Sequence, residues 1–137
     1  MPDYLQFLNP PTMEKPPGYS HIVTIAGPAR IVFFAGQLGV DPTGRFAGAP
    51  GDFKAQTLQA FENLKAALEA VGGTFEHVIK INNFLVDIER NMLAFREIRD
   101  RYLNKAAPPA STTIGVPALA RPGGLFEIEA IAALPPA

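Results

Sequence analysis

The chain has 137 residues, enough for one core, and a formal net charge of −1 with basic and acidic residues interspersed, so it lacks the clustered positive potential with which nucleic-acid binders meet phosphate. Charged residues make up 18% of the chain against a usual value of about 25%, while hydrophobic residues reach 47%, leaving few charges to cover a monomer's surface. Cysteine is absent, which excludes disulfides and thiol catalysis and fits a reducing, cytoplasmic setting.

From Met1 to Tyr19 the chain is rich in proline and glycine and carries Asp3, Glu14 and Lys15; it has no apolar run of the kind an export signal needs. Residues 1–18 read as an extended N-terminal arm on a single domain spanning 1–137. Residues 21–26 and 30–35 are β-branched and aromatic runs split by Gly27-Pro28-Ala29, which predicts two short strands paired as a hairpin. The stretch Ile22 to Val40 is the most hydrophobic, but Gly27-Pro28, Arg30 and Gln37 interrupt it, and a membrane span needs about 20 largely uninterrupted apolar residues. Asp41-Pro42-Thr43-Gly44 has the composition of a turn, with proline presetting one φ and glycine accepting a positive one.

From Asp52 the apolar residues fall at Leu58, Phe61, Leu64, Leu68 and Val71, spacings of three and four that place them on one helical stripe. Asp52 is the expected N-cap and Gly72-Gly73 the expected terminator. Val78 to Val86 is strand-like, and Asn91 to Leu103 returns to helical spacing through Met92, Phe95, Ile98 or Arg99, and Tyr102. Pro108-Pro109 forbids that helix from continuing. Residues 110–116 and 125–133 read as two final strands, joined through Arg121-Pro122-Gly123-Gly124. The predicted order is β-β-α-β-α-β-β, an α+β domain with two amphipathic helices on one face of a mixed sheet. No Gly-x-Gly-x-x-Gly or Walker loop follows any strand, so no nucleotide cofactor is expected. His21 and His77 are the only imidazoles; with no carboxylate at a ligand spacing to either, no metal is expected.

Glu127 and Glu129 lie two apart in an otherwise apolar strand and therefore share a face. A carboxylate among Phe126, Ile128 and Ile131 is solvated, paired or functional, because burying it bare is costly. Tyr19, after a proline-rich approach, can cover a sheet edge or face a cleft. Ser111 and Thr112 have no histidine close in sequence to activate them as nucleophiles. Arg90, Arg96, Arg99, Arg101 and Lys105 complement the dipole of the second helix.

Six collinear segments from residue 17 to residue 130 resemble the Rid/YjgF family of imine and enamine deaminases. They are Pro17-Gly18-Tyr19; Phe34-Ala35-Gly36-Gln37 ahead of the Pro-Thr-Gly turn; the helix end Val71-Gly72-Gly73; the strand Val78 to Asp87; Pro109-Ala110-Ser111-Thr112; and Glu127-Ile128-Glu129-Ala130. The resemblance implies a chorismate-mutase-like fold and a homotrimer with small-molecule clefts between subunits. It implies Glu127 and Tyr19 as the catalytic pair, with Ala35, Gly36, Ser111 and Phe84 lining the substrate site. Two positions depart from the family pattern. Ala35 stands where a serine is usual, and Ser111 stands where an arginine binds the substrate carboxylate, a role a neutral hydroxyl cannot fill. Arg96 and Arg121 are candidates to supply that charge from another direction. The expectation is an enzyme of altered specificity that adds water to a small imine, enamine or related nitrogen compound, with little turnover of ordinary 2-imino acids. A non-catalytic binding or sensing trimer and an interaction role, including an RNA-associated one, remain open alternatives.

Overall fold

The computed structural model describes residues 2–137; Met1, the first residue of the expected arm and domain, lies outside the described residues. The elements in chain order are β1 (Leu5–Leu8), β2 (Ile22–Ile25), β3 (Arg30–Leu38), α1 (Phe53–Ala70), β4 (Val78–Val86), α2 (Ile88–Tyr102), β5 (Ala110–Val116) and β6 (Phe126–Leu134), with a single 3-10 turn at Phe75–His77 before β4. Four strands form one mixed sheet in the order β3-β6-β4-β5, with β6 antiparallel to both its neighbours and β4 parallel to β5.

The expected α+β class holds, with two corrections. The arm carries a strand of its own, so the order gains a β at its start. Nor do the first two expected strands form a hairpin with each other: β2 pairs antiparallel with β1, while β3 pairs with β6 nearly a hundred residues later. Gly27 takes a φ of +92 between them, and that bend sends the two strands into different sheets instead of closing a two-residue hairpin turn.

Helix α1 begins where Asp52 accepts a hydrogen bond from the Ala55 amide at 3.0 Å and ends at Gly72, whose φ is +79, the N-cap and left-handed stop that the sequence predicts. Its stripe of Phe61, Leu64 and Leu68 is fully buried, with Leu58 and Val71 packed at the edge. Helix α2 starts three residues earlier than its apolar period suggests, at Ile88, because Asp87 adopts a left-handed conformation (φ 53) that turns the chain directly out of β4.

Both helices cover one face of the sheet. Phe126, Ile128, Ala130, Ala132 and Leu134 of β6 and Val78, Ile81 and Leu85 of β4 are buried beneath them. Phe61 stacks between Tyr102 at 4.9 Å and Phe126 at 5.8 Å between ring centroids, joining both helices to β6. The alternate residues of the same strands face away from the helices. On that uncovered side stand Phe33, Ile31, Ile131, Phe84, Ile114, Glu127 and Glu129, and Phe33 is 75% exposed.

Candidate functional site

Strand β3 breaks register between Phe34 and Gln37, and this bulge presents Ala35 and Gly36 beside β6. A Cβ on Gly36 would collide with the Glu127 carboxylate, so the glycine is what lets that carboxylate lie across the strand. Phe84 is the cross-strand partner of Glu127 on β4. Glu127, Gly36 and Phe84 therefore form one cluster on the uncovered face, with Ala35 exposed at the bulge. The Glu127 side chain has no hydrogen-bond or ion-pair partner among the described residues. Glu129 differs, since it accepts a hydrogen bond from Asn82 at 3.2 Å.

Two polar side chains of α1, Gln56 buried and Asn63 half-buried, hold this cluster in place, and apolar periodicity gave no sign of either. Gln56 donates to the Gly123 carbonyl at 3.0 Å and accepts from the Leu125 amide at 2.8 Å, clamping the loop that leads into Glu127. Asn63 donates to the Leu38 and Val40 carbonyls at 3.0 and 2.8 Å, holding the end of β3.

Tyr19 and Ser111 lie elsewhere. Ser20 donates through its amide to the Pro109 carbonyl (3.1 Å) and through its hydroxyl to the Pro108 carbonyl (2.6 Å), which fixes Tyr19 against the start of β5. Ser111 pairs with Ile81 and Thr113 with Asn83, so both point to the helix side of the sheet. Within one chain, Ser111 and Glu127 thus occupy opposite faces. Tyr19, Ser111, Thr112 and Thr113 line a cleft of about 270 Å³ whose far wall is Met92, Arg96 and Arg99 of α2.

The two arginines proposed as replacements separate here. Arg121 donates to the Gly44 carbonyl at 3.3 Å, at the Asp41–Gly44 turn, whereas Arg96 faces Ser111 across the cleft. Arg99 joins it there, from the position that the helical spacing offers beside Ile98 for the apolar stripe. It is only 8% exposed, with its guanidinium 5.7 Å from the centre of the Phe95 ring and against Gly18, where a Cβ would not fit. Its burial is legible only in the i, i+3, i+4 spacing it shares with Phe95 and Tyr102.

His21 meets the Tyr19 ring edge-on, with the ring centroids 5.5 Å apart. A ring nitrogen of His21 hydrogen-bonds the Glu14 carbonyl at 2.7 Å, and His77 accepts from the Thr74 amide at 2.9 Å. Among the described residues no group of three His, Cys, Asp or Glu side chains could hold a metal, and no helix is long and apolar enough to cross a membrane.

A protein-family model described as Endoribonuclease L-PSP matches residues 12–134. Protein DfrA of Myxococcus xanthus is 39% identical over 114 residues, covering 83% of this chain and 83% of that protein. The crystal structure of YyfB from Yersinia pestis, a protein of unknown function in the conserved Rid protein family, matches with a TM-score of 0.83 at 36% identity, over 96% of this chain and 99% of that one. The crystal structure of Escherichia coli TdcF with bound serine matches with a TM-score of 0.65 at 30% identity, over 74% of this chain and 79% of that one. The fold, the bulge that brings Gly36 to Glu127, and these matches together place the chain in the Rid/YjgF family.

Proposed function

We propose that the protein is a Rid-like homotrimer whose inter-subunit clefts add water to a small imine or enamine. The observation that carries this reading is the Glu127 carboxylate, unpartnered among the described residues and held beside Gly36 and Phe84 on the face that the helices leave uncovered. A second copy seated on that face would cover Phe33, Ile31 and Ile114 and bring one subunit's Glu127 to another's Tyr19 and Ser111, which a single chain keeps on opposite sides of the sheet. The serine bound to the relative TdcF supports a ligand of amino-acid size.

In this reaction Glu127 takes a proton from water as the water oxygen bonds to the C=N carbon, and the nitrogen gains a proton. The resulting carbinolamine gives up its hydroxyl proton and its nitrogen takes one up as the C–N bond breaks, leaving ammonia and a carbonyl compound; an enamine first tautomerises to the imine. Substrates are not the family's ordinary 2-imino acids, because Ser111 offers a neutral hydroxyl where a bidentate cation would grip the carboxylate.

Imines generated in situ and assayed for ammonia release test the reading. Turnover by the native protein is expected to fall about a hundredfold or more in Glu127→Gln, which keeps the shape but removes the base. Unchanged turnover in that variant would sink the role assigned to Glu127. A ligand that stabilises the trimer but is not consumed by the native protein would establish the rival reading of a binding trimer, which small, uncharged residues at 35 and 111 favour.

A further inference from the structure

We infer that Arg96 and Arg99 of α2 form an anion anchor for an organic monocarboxylate in the cleft beside Tyr19 and Ser111. The inference rests on the proposed function for the identity of the cleft but on different residues for its chemistry.

The cleft is lined by the guanidinium groups of Arg96 and Arg99, by the hydroxyls of Tyr19, Ser111 and Thr113, and by no carboxylate; the Thr112 side chain points to the other face of the sheet, where it accepts from Lys80 at 2.9 Å. Arg99 is built into the protein, more than nine-tenths buried between Phe95 and Gly18. A guanidinium carries five N–H donors and no acceptor. Its Nε and Nη2 both reach one oxygen of Asp100 at 3.0 Å, and its other N–H groups find no acceptor among the described residues. Arg96 has no hydrogen-bond or ion-pair partner among them either.

The opposite wall is also poised to donate. Asn83 is fully buried and its amide nitrogen lies 3.1 Å from both the Ser111 and Thr113 hydroxyl oxygens and 3.4 Å from the Thr112 carbonyl. The carbonyl decides which way round the amide sits, because an oxygen there would face another oxygen. A hydroxyl oxygen that accepts from Asn83 keeps its own proton free to donate to a ligand, and the Asn83 Oδ1 is itself buried without a partner among the described residues. The cleft thus presents donors from both walls.

Charge selects the class of anion. Arg96 and Arg99 against Asp100 leave one net positive charge, which matches a monocarboxylate better than a phosphate dianion, and a volume of about 270 Å³ suits a molecule of a few carbons.

Butyrate, an unreactive monocarboxylate, is the probe, followed by amide chemical-shift titration of the full-length protein. Butyrate is expected to shift amides of α2 and β5 saturably and to weaken with added salt. Arg96→Gln, at an exposed position that does not threaten folding, and Arg99→Lys, which keeps the charge but loses the planar fork, are each expected to raise the Kd about tenfold or more. Butyrate affinity unchanged in both variants, or phosphate bound more tightly than butyrate by the native protein, would overturn the inference. Glu127→Gln separates the two claims. Retained turnover in that variant, with the arginine effect on butyrate intact, would fail the catalytic reading alone; lost turnover, with butyrate affinity insensitive to both arginines, would fail this one alone.

Discussion

Gly36 shows how much one missing methyl group decides at this site. Its φ is not in the left-handed region, so conformational freedom is not what the position requires; space is. An alanine there would meet the outer atoms of the Glu127 side chain, which can swing away on their own rotamers, so the collision costs the site more than the fold. Gly36→Ala is therefore expected to lower turnover at least about tenfold, since a catalytic group displaced by an ångström loses that much, while the thermal midpoint moves little. A large loss of stability with residual activity preserved per folded molecule would contradict this. Of the residues in the two clusters, Glu127 was legible in the sequence because a charge in an apolar strand has to be explained. Arg99 was legible only in part: the helical spacing offers it or Ile98 for the apolar stripe, but nothing local shows its guanidinium packed against Gly18 of the arm.

At the scale of elements, the two helices are joined by a contact that titrates. The Tyr102 hydroxyl of α2 donates to the Glu62 carboxylate of α1 at 2.7 Å, and burial, followed by that carboxylate, pushes the phenol up to about 12 from its usual 10.0. A folded-state pKa raised above the unfolded one means the folded protein holds the proton more tightly. The contribution is complete below pH 10 and is lost as pH rises through about 12. Urea midpoints measured across that window should fall with pH in the native protein, and Tyr102→Phe should flatten the fall; an identical slope in the variant would show that another group titrates. The helices themselves were readable from sequence because their periodicity, caps and stops are local: Asp52, Gly72 and the stripe through Phe61 each sit within a few residues of what they determine. Strand partners are not local. Nothing in residues 21–35 says that β2 pairs with a four-residue strand in a proline-rich arm, or that β3 pairs with a strand at the far end of the chain, because either strand could satisfy its backbone groups in a hairpin. Gln56 and Asn63 were missed for a related reason: each sits in α1, but what it satisfies lies on loops and strand ends distant in sequence.

For the whole molecule, the sparse charge of the composition and the exposed apolar face of the sheet belong together. A sheet covered by helices on one side only has to dispose of its other side, and here that side carries Phe33 at 75% exposure with Ile31 and Ile114 each at 45%. Large apolar side chains exposed on one face mark an interface, and in the proposed trimer each subunit would bury the same residues against a neighbour. Fully burying a phenylalanine is worth roughly 1.5–3 kcal/mol, and a symmetric trimer repeats the contact three times. Phe33 is also the safest position at which to test it: its side chain points away from the core formed by Phe61, Phe95 and Phe126, so a charge there does not threaten the monomer. Phe33→Asp is expected to shift the mass in light scattering from three chains to one while far-ultraviolet dichroism keeps its native shape. Because Glu127 and Ser111 occupy opposite faces of each chain's sheet, the same substitution should abolish turnover without touching either residue. A monomeric variant that still turned over substrate at the native rate would mean that the cleft is complete within one chain, and the composite site would have to be abandoned.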